Sequence, residues 1–165
     1  MKRFACFLQL TLLILLLSSW SCCILRIEPP TDLVVNEGFT NPIGFYDPKP
    51  RFSWKLPVTE KIKSQSAYRI VVASSPDLLP DKADFWDTKK VDSDQSVWVN
   101  YEGHGLESRQ KIYWQVMFWD QNKGASQWSS VSHLELGLLN NADWQAKWIS
   151  LANAEKNHRT EEGYH

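Results

Sequence analysis

Six aspartates crowd one stretch of this chain: Asp77, Asp81, Asp84, Asp87, Asp92 and Asp94. Closely spaced carboxylate oxygens are what a hard cation such as calcium takes. The spacing fits no EF-hand loop, and solvated acidic loops around an edge strand are the expected reading. The histidines, His104, His133, His158 and His165, are scattered. They show no HExxH or comparable ligand spacing. There is no nucleophile elbow, phosphate-binding loop or dinucleotide fingerprint. All three cysteines lie at or before position 23. The remainder therefore has no disulfide and no thiolate metal site. These residues predict no catalytic group, no metal and no cofactor in this chain.

The nine tryptophans are the unusual resource. Trp is large and amphipathic, suited both to cores and to stacking on ring-shaped ligands. Trp54 and Trp114 fall on apolar strand faces and are expected between sheets. Trp86, Trp98, Trp119 and Trp128 are candidates for a surface aromatic patch, with packing against the chain's own loops or a neighbouring domain as the alternative. Trp144 and Trp148 are expected to cover an interface with a further domain, because uncovered they would form a sticky patch.

Short alternating runs separated by turn residues must position these side chains. Residues 51–56 alternate, with Phe52, Trp54 and Leu56 on one face. Residues 112–119 place Trp114, Val116 and Phe118 together, and Asn122-Lys123-Gly124 forms the hairpin turn after them. Runs at 31–35, 67–73, 85–91, 97–101 and 128–136 complete the set, with Val97, Val99 and Tyr101 expected on one face. Asn41-Pro42-Ile43-Gly44 and Asp47-Pro48-Lys49-Pro50 read as turn and loop. A short helical turn is expected near 78–83. The pattern predicts an all-β fold, an antiparallel two-sheet β-sandwich with about seven strands. The sandwich is expected over 30–138, with 139–165 as the start of a second domain and a polar tail.

Residues 1–21 read as a secretory signal peptide: Lys2 and Arg3 precede a long apolar stretch, and small residues come after it. Ser19 and Ser21 before Cys22 also fit a lipoprotein-type signal with lipidation at Cys22. Ordinary cleavage and an uncleaved membrane anchor are the alternatives. Export to the periplasm or cell surface, with a lipid anchor in the outer membrane as one form, is the expected localisation. The net charge of −1 gives no electrostatic reason for a nucleic-acid partner.

An ordered series of motifs resembles the opening of bacterial α-L-rhamnosidases. It runs through Asn41-Pro42-Ile43-Gly44, Pro50-Arg51-Phe52-Ser53-Trp54, Gln65-Ser66-Ala67-Tyr68-Arg69-Ile70 and Phe85-Trp86-Asp87. It continues with Val99-Asn100-Tyr101-Glu102-Gly103, Tyr113-Trp114-Gln115-Val116, Trp128-Ser129, and Asp143-Trp144 with Ala146-Lys147-Trp148-Ile149. The resemblance covers residues 31–150. It implies a fibronectin type III-like or immunoglobulin-like N-terminal domain. It also implies that such enzymes continue into a jelly-roll sugar-binding domain, further β domains and an (α/α) barrel with the acidic residues of an inverting glycosidase. No position here matches those catalytic residues, and inversion needs two carboxyl groups about 6.5–9.5 Å apart across a cleft. The expected function is a non-catalytic module of an exported rhamnosidase-like enzyme, inactive alone, whose partners are the downstream domains and a rhamnose-containing glycan. The competing reading is a surface lipoprotein that binds glycan or protein through exposed aromatics.

Overall fold

The computed structural model describes residues 26–147. Eight strands make two sheets. β1 (Thr31–Val35), β3 (Arg51–Lys55) and β6 (Val99–Asn100) form a three-stranded sheet in the order β1-β3-β6. β2 (Ile43–Phe45), β8 (Ser132–Leu136), β7 (Lys111–Asp120), β4 (Gln65–Ala73) and β5 (Trp86–Asp87) form a five-stranded sheet in the order β2-β8-β7-β4-β5. This is the expected all-β immunoglobulin-like sandwich.

β7 is the spine, and its strict alternation is the reason. Ile112, Trp114, Val116, Phe118 and Asp120 are buried, while the residues between them are half-exposed. β4 runs antiparallel beside it in register, Ile70 opposite Val116 and Val72 opposite Trp114. Tyr68, Ile70 and Val72 face the other sheet; Ala67, Val71 and Ala73, on the opposite side of β4, are also buried. From β3, Phe52 meets Trp114 at 4.4 Å between ring centroids, and Trp54 meets Tyr68 at 5.3 Å. These two aromatic contacts join the sheets. Burying side chains of this size is the main stabilising term, at about 25 cal/mol per Å² of apolar surface removed from water. Trp54 and Trp114 are therefore core, as expected.

Three local features depart from the alternation. Ile43–Phe45, within what reads as a turn and loop, is the edge strand β2, and it pairs parallel with β8 while the other pairs are antiparallel. Gly44 adopts φ +74°, and Gly137 packs so close to its carbonyl that a Cβ there would lie 3.0 Å from the oxygen. An Ile-Gly-Phe strand of three residues carries no alternation to read. Second, Val97 does not join Val99 and Tyr101. Trp98 sits at φ +54°, which breaks the pleat and turns Val97 outward, 59% exposed. Third, the helical turn is a 3-10 turn at Pro76–Leu78, placed where Pro at the first position presets the backbone.

The chain enters and leaves at opposite ends. Ile27 bridges Ser126 beside the β7–β8 hairpin and accepts from Gln127 N at 3.0 Å. In that hairpin Asp120 Oδ1 accepts from Asn122 N and Gly124 N. β7 is ten residues long. At about 3.3 Å per residue its far end lies about 30 Å away. There the segment leaving β8 packs on the β6–β7 loop.

Candidate functional site

Among the described residues the candidate aromatics do not form one patch. Trp86 lies at the core's edge, stacked on Phe52 at 6.3 Å and edge-on to Tyr101 at 5.3 Å. A Cβ on Gly103 would lie 2.6 Å from Trp86 Cβ, so that glycine admits the tryptophan. Trp119 and Trp128 are half-buried, and each has a cation over its ring. Lys90 Nζ lies 4.9 Å from the Trp119 centroid, and Arg69 Cζ lies 5.5 Å from that of Trp128. Trp98 and Trp144 are exposed, at 57% and 64%. Trp98 belongs to the other side of the molecule, over the outer face of the three-stranded sheet. Trp148, Cys22, residues 1–21, His158 and His165 lie outside the described residues.

Of the six clustered aspartates, Asp84 and Asp87 are committed to structure. Asp87 takes two bonds from Arg69, Nε to Oδ1 at 2.9 Å and Nη2 to Oδ2 at 2.8 Å, and one from Lys89 Nζ at 2.6 Å. The Arg69 bonds, with those from Lys89, hold its carboxyl well below the usual range despite partial burial. Burial alone would raise Asp84, but the bonds from Ser74 Oγ and Ser74 N outweigh it and lower the group. Asp143 is lowered by Ser108 and by the Asn140 backbone. A glycosidase acid needs the opposite, a carboxyl raised enough to stay protonated. Among the described residues no group of three or more His, Cys, Asp or Glu is placed to hold a metal. No helix there is long and apolar enough to cross a membrane.

The exit end is a fitted clamp. Ser108 Oγ donates to Asp143 Oδ2 and accepts from Leu139 N at 2.9 Å. Arg109 Nη2 donates to the Asp143 carbonyl at 3.2 Å, and Asp143 also caps the turn begun by Asn140. Leu139 packs against the core. The contacts of the sandwich thus continue through Asp143 and fix the direction in which the chain leaves. Tyr46, Leu106 and Leu139 line a hollow beside this clamp.

Sequence reasoning missed three contributors. Gln65 falls outside the expected 67–73 run, yet it is buried and accepts from Trp54 Nε1 at 3.0 Å. The cations over Trp119 and Trp128 come from β4 and from the segment after β5, separations that no local pattern encodes. Ser108 and Asp143 lie in loops; the only signal was Asn140 three residues before Asp143, a cap-like spacing.

Comparison with known proteins agrees with this geometry. Residues 30–140 match the family described as the Rha78A-like, N-terminal immunoglobulin domain. An α-L-rhamnosidase of Formosa agariphila is 63% identical over 124 residues, 75% of this chain and 13% of that protein. One from an Alteromonas species is 49% identical over 129 residues, 78% of this chain and 14% of that protein. The crystal structure of Streptomyces avermitilis α-L-rhamnosidase complexed with L-rhamnose superposes with a TM-score of 0.71 at 41% identity, over 76% of this chain and 12% of that one. The chain therefore spans about one eighth of the length of the relatives it matches. Its sandwich, its matched residues and the folds it superposes on agree, and the chain belongs to the family of Rha78A-like N-terminal immunoglobulin domains, the N-terminal immunoglobulin-like domain of α-L-rhamnosidases.

Proposed function

We propose that this sandwich is a non-catalytic positioning module of an exported α-L-rhamnosidase-type glycoside hydrolase. The chemistry, rhamnoside cleavage with inversion, resides in a barrel domain elsewhere in the whole enzyme. The observation that carries this reading is the disposition of the two ends of the sandwich, Ile27 and Asp143. Entry beside the β7–β8 hairpin and exit through the Ser108–Asp143 clamp, at opposite ends of β7, suit a rigid spacer between a leader and the next domain. The lowered carboxyls of Asp84, Asp87 and Asp143 are unsuited to act as a general acid. Trp144, exposed just beyond the clamp, is the side chain that the next domain covers. The leader at 1–21 directs export, and Cys22 carries the lipid that anchors the chain to the outer membrane; Cys22→Ser then releases it into the soluble fraction.

The test is turnover. The purified full chain is incubated with p-nitrophenyl α-L-rhamnoside, and nitrophenolate release stays at the uncatalysed rate. Release that saturates with substrate and disappears on unfolding would overturn the proposal.

A further inference from the structure

Trp98 is an unusual residue for its conformation. Its φ of +54° lies in the left-handed region. There a bulky side chain meets the following carbonyl, and Gly or Asn is the ordinary occupant. Such strain persists only where the surroundings hold it, and here they do. Trp98 N donates to Ser53 Oγ at 2.9 Å, and Gln95 Nε2 donates to the Val97 and Trp98 carbonyls at 3.0 and 3.2 Å. The strain does not serve burial, because the indole is 57% exposed. It serves presentation.

One face of the indole is taken. Arg51 Cζ lies 5.3 Å from the ring centroid, held by Glu37 Oε1 at 3.0 Å. Glu37 is held in turn by the Tyr46 hydroxyl at 3.2 Å. More than half of Trp98 is still in water. Asn100, paired with Arg51 across β3–β6 and exposed, supplies an amide on the same sheet face. Trp119 and Trp128 differ, being half-buried under their own cations.

We infer that Trp98 is the stacking platform of a glycan-binding site on the outer face of the three-stranded sheet, taking a pyranose ring of a rhamnose-containing chain. The C–H face of a pyranose carries partial positive charge and suits the negative face of an indole. Its hydroxyls suit the fixed guanidinium, carboxylate and amide beside it. A protein partner would be expected to meet a broader apolar centre than one indole and the neighbouring Val97, bordered by an ion pair. Because the ring is already held, little entropy is lost on binding. The choice of sugar rests on the proposed function; the platform itself does not.

The full chain, labelled with 15N, is titrated with L-rhamnose and with a rhamnose-terminated oligosaccharide while the indole Nε1–H signals are followed. A saturable shift of the Trp98 signal is expected, with tighter binding of the oligosaccharide. Trp98→Gly removes the ring and suits the left-handed backbone, so affinity falls at least tenfold while the melting temperature does not fall. Trp144→Ala, an equally exposed tryptophan at the exit end, leaves binding unchanged. No saturable shift with either sugar, equal binding by the Trp98→Gly chain, or a Trp98→Gly chain that melts well below wild type would overturn the inference. So would protection of Trp98 by a separately supplied barrel domain of a relative in place of sugar. The turnover assay is blind to Trp98: absent binding with absent turnover removes the platform and leaves the module reading standing, whereas turnover removes the module reading whatever Trp98 does.

Discussion

Replacing Gln65 should weaken this sandwich more than other single polar substitutions, and the size of the loss follows from its bonds. Its carbonyl accepts from Trp54 Nε1 at 3.0 Å; its amide donates to the carbonyls of Gln95 at 2.8 Å and Ser93 at 3.1 Å. The orientation is forced, because an indole N–H can only donate and the two carbonyls can only accept. One side chain thus ties β4 to β3 across the core and to the loop that leads into β6. Gln65→Leu strands the buried indole N–H, at a cost of about 1–3 kcal/mol, and loses two part-buried bonds worth about 0.5–1 kcal/mol each after water replaces them. The sum is about 3 kcal/mol, or roughly 10 °C in melting temperature for a domain of this size. Urea and thermal unfolding followed by tryptophan fluorescence measure it. Trp54→Phe removes the donor from the other side, and the double variant should show a coupling of about 1–2 kcal/mol. Gln65→Glu adds a signature in pH. The new carboxylate would face two carbonyls, so its folded-state pKa lies above its unfolded value, and the variant should be less destabilised at pH 4 than at pH 7. A Gln65→Leu chain within about 0.5 kcal/mol of wild type, or no coupling to Trp54→Phe, would refute the cost assigned to the unsatisfied polar groups.

Asp87 is lowered by its bonds from Arg69. Its contribution is therefore present above the unfolded carboxylate value near 4 and is lost as pH falls through the folded one. Asp87→Asn should cost about 1–2 kcal/mol at pH 7 and flatten the acid limb of stability against pH, which equilibrium unfolding at pH 2–7 reads directly. Gly103→Ala would place a Cβ 2.6 Å from Trp86 Cβ and 2.7 Å from the Phe85 carbonyl, with backbone and ring attachment in the way. A loss of about 1–3 kcal/mol is expected, and a neutral result by thermal melting would show that the Trp86 contact yields.

What was legible in the sequence was whatever obeys a two-residue period. Phe52 and Trp54 on β3, and Trp114, Val116 and Phe118 on β7, could be assigned to the core because nothing between them competes for it. The β7–β8 hairpin was legible from Asn122-Lys123-Gly124, and Lys123 does take a positive φ of 67°. β2 was not legible, because three residues beginning after proline contain a glycine and are held by distant groups: Glu135 N donates to the Pro42 carbonyl and Gly137 N to that of Phe45. The placement of Trp98 was half legible. Alternation put it opposite Val99, but the positive φ that also expels Val97 is imposed by the side chains of Ser53 and Gln95, the first of them 45 residues away. The fates of Trp119 and Trp128 depended on cations from other segments, and the exit clamp on a serine 35 residues from its aspartate.

The central claim, that this domain serves a rhamnosidase as a rigid module without taking part in the chemistry, is tested most directly by exchange. In the Formosa agariphila α-L-rhamnosidase, the matching region is replaced by residues 30–140 of this chain, and in parallel it is deleted. Rhamnoside kcat/KM and thermal unfolding are measured for both. The account predicts an exchanged enzyme with kcat/KM within a few-fold of the parent and a deletion that loses soluble, stable enzyme. An exchanged enzyme that folds but has lost turnover would contradict it, as would a deletion that keeps the parent's stability and activity.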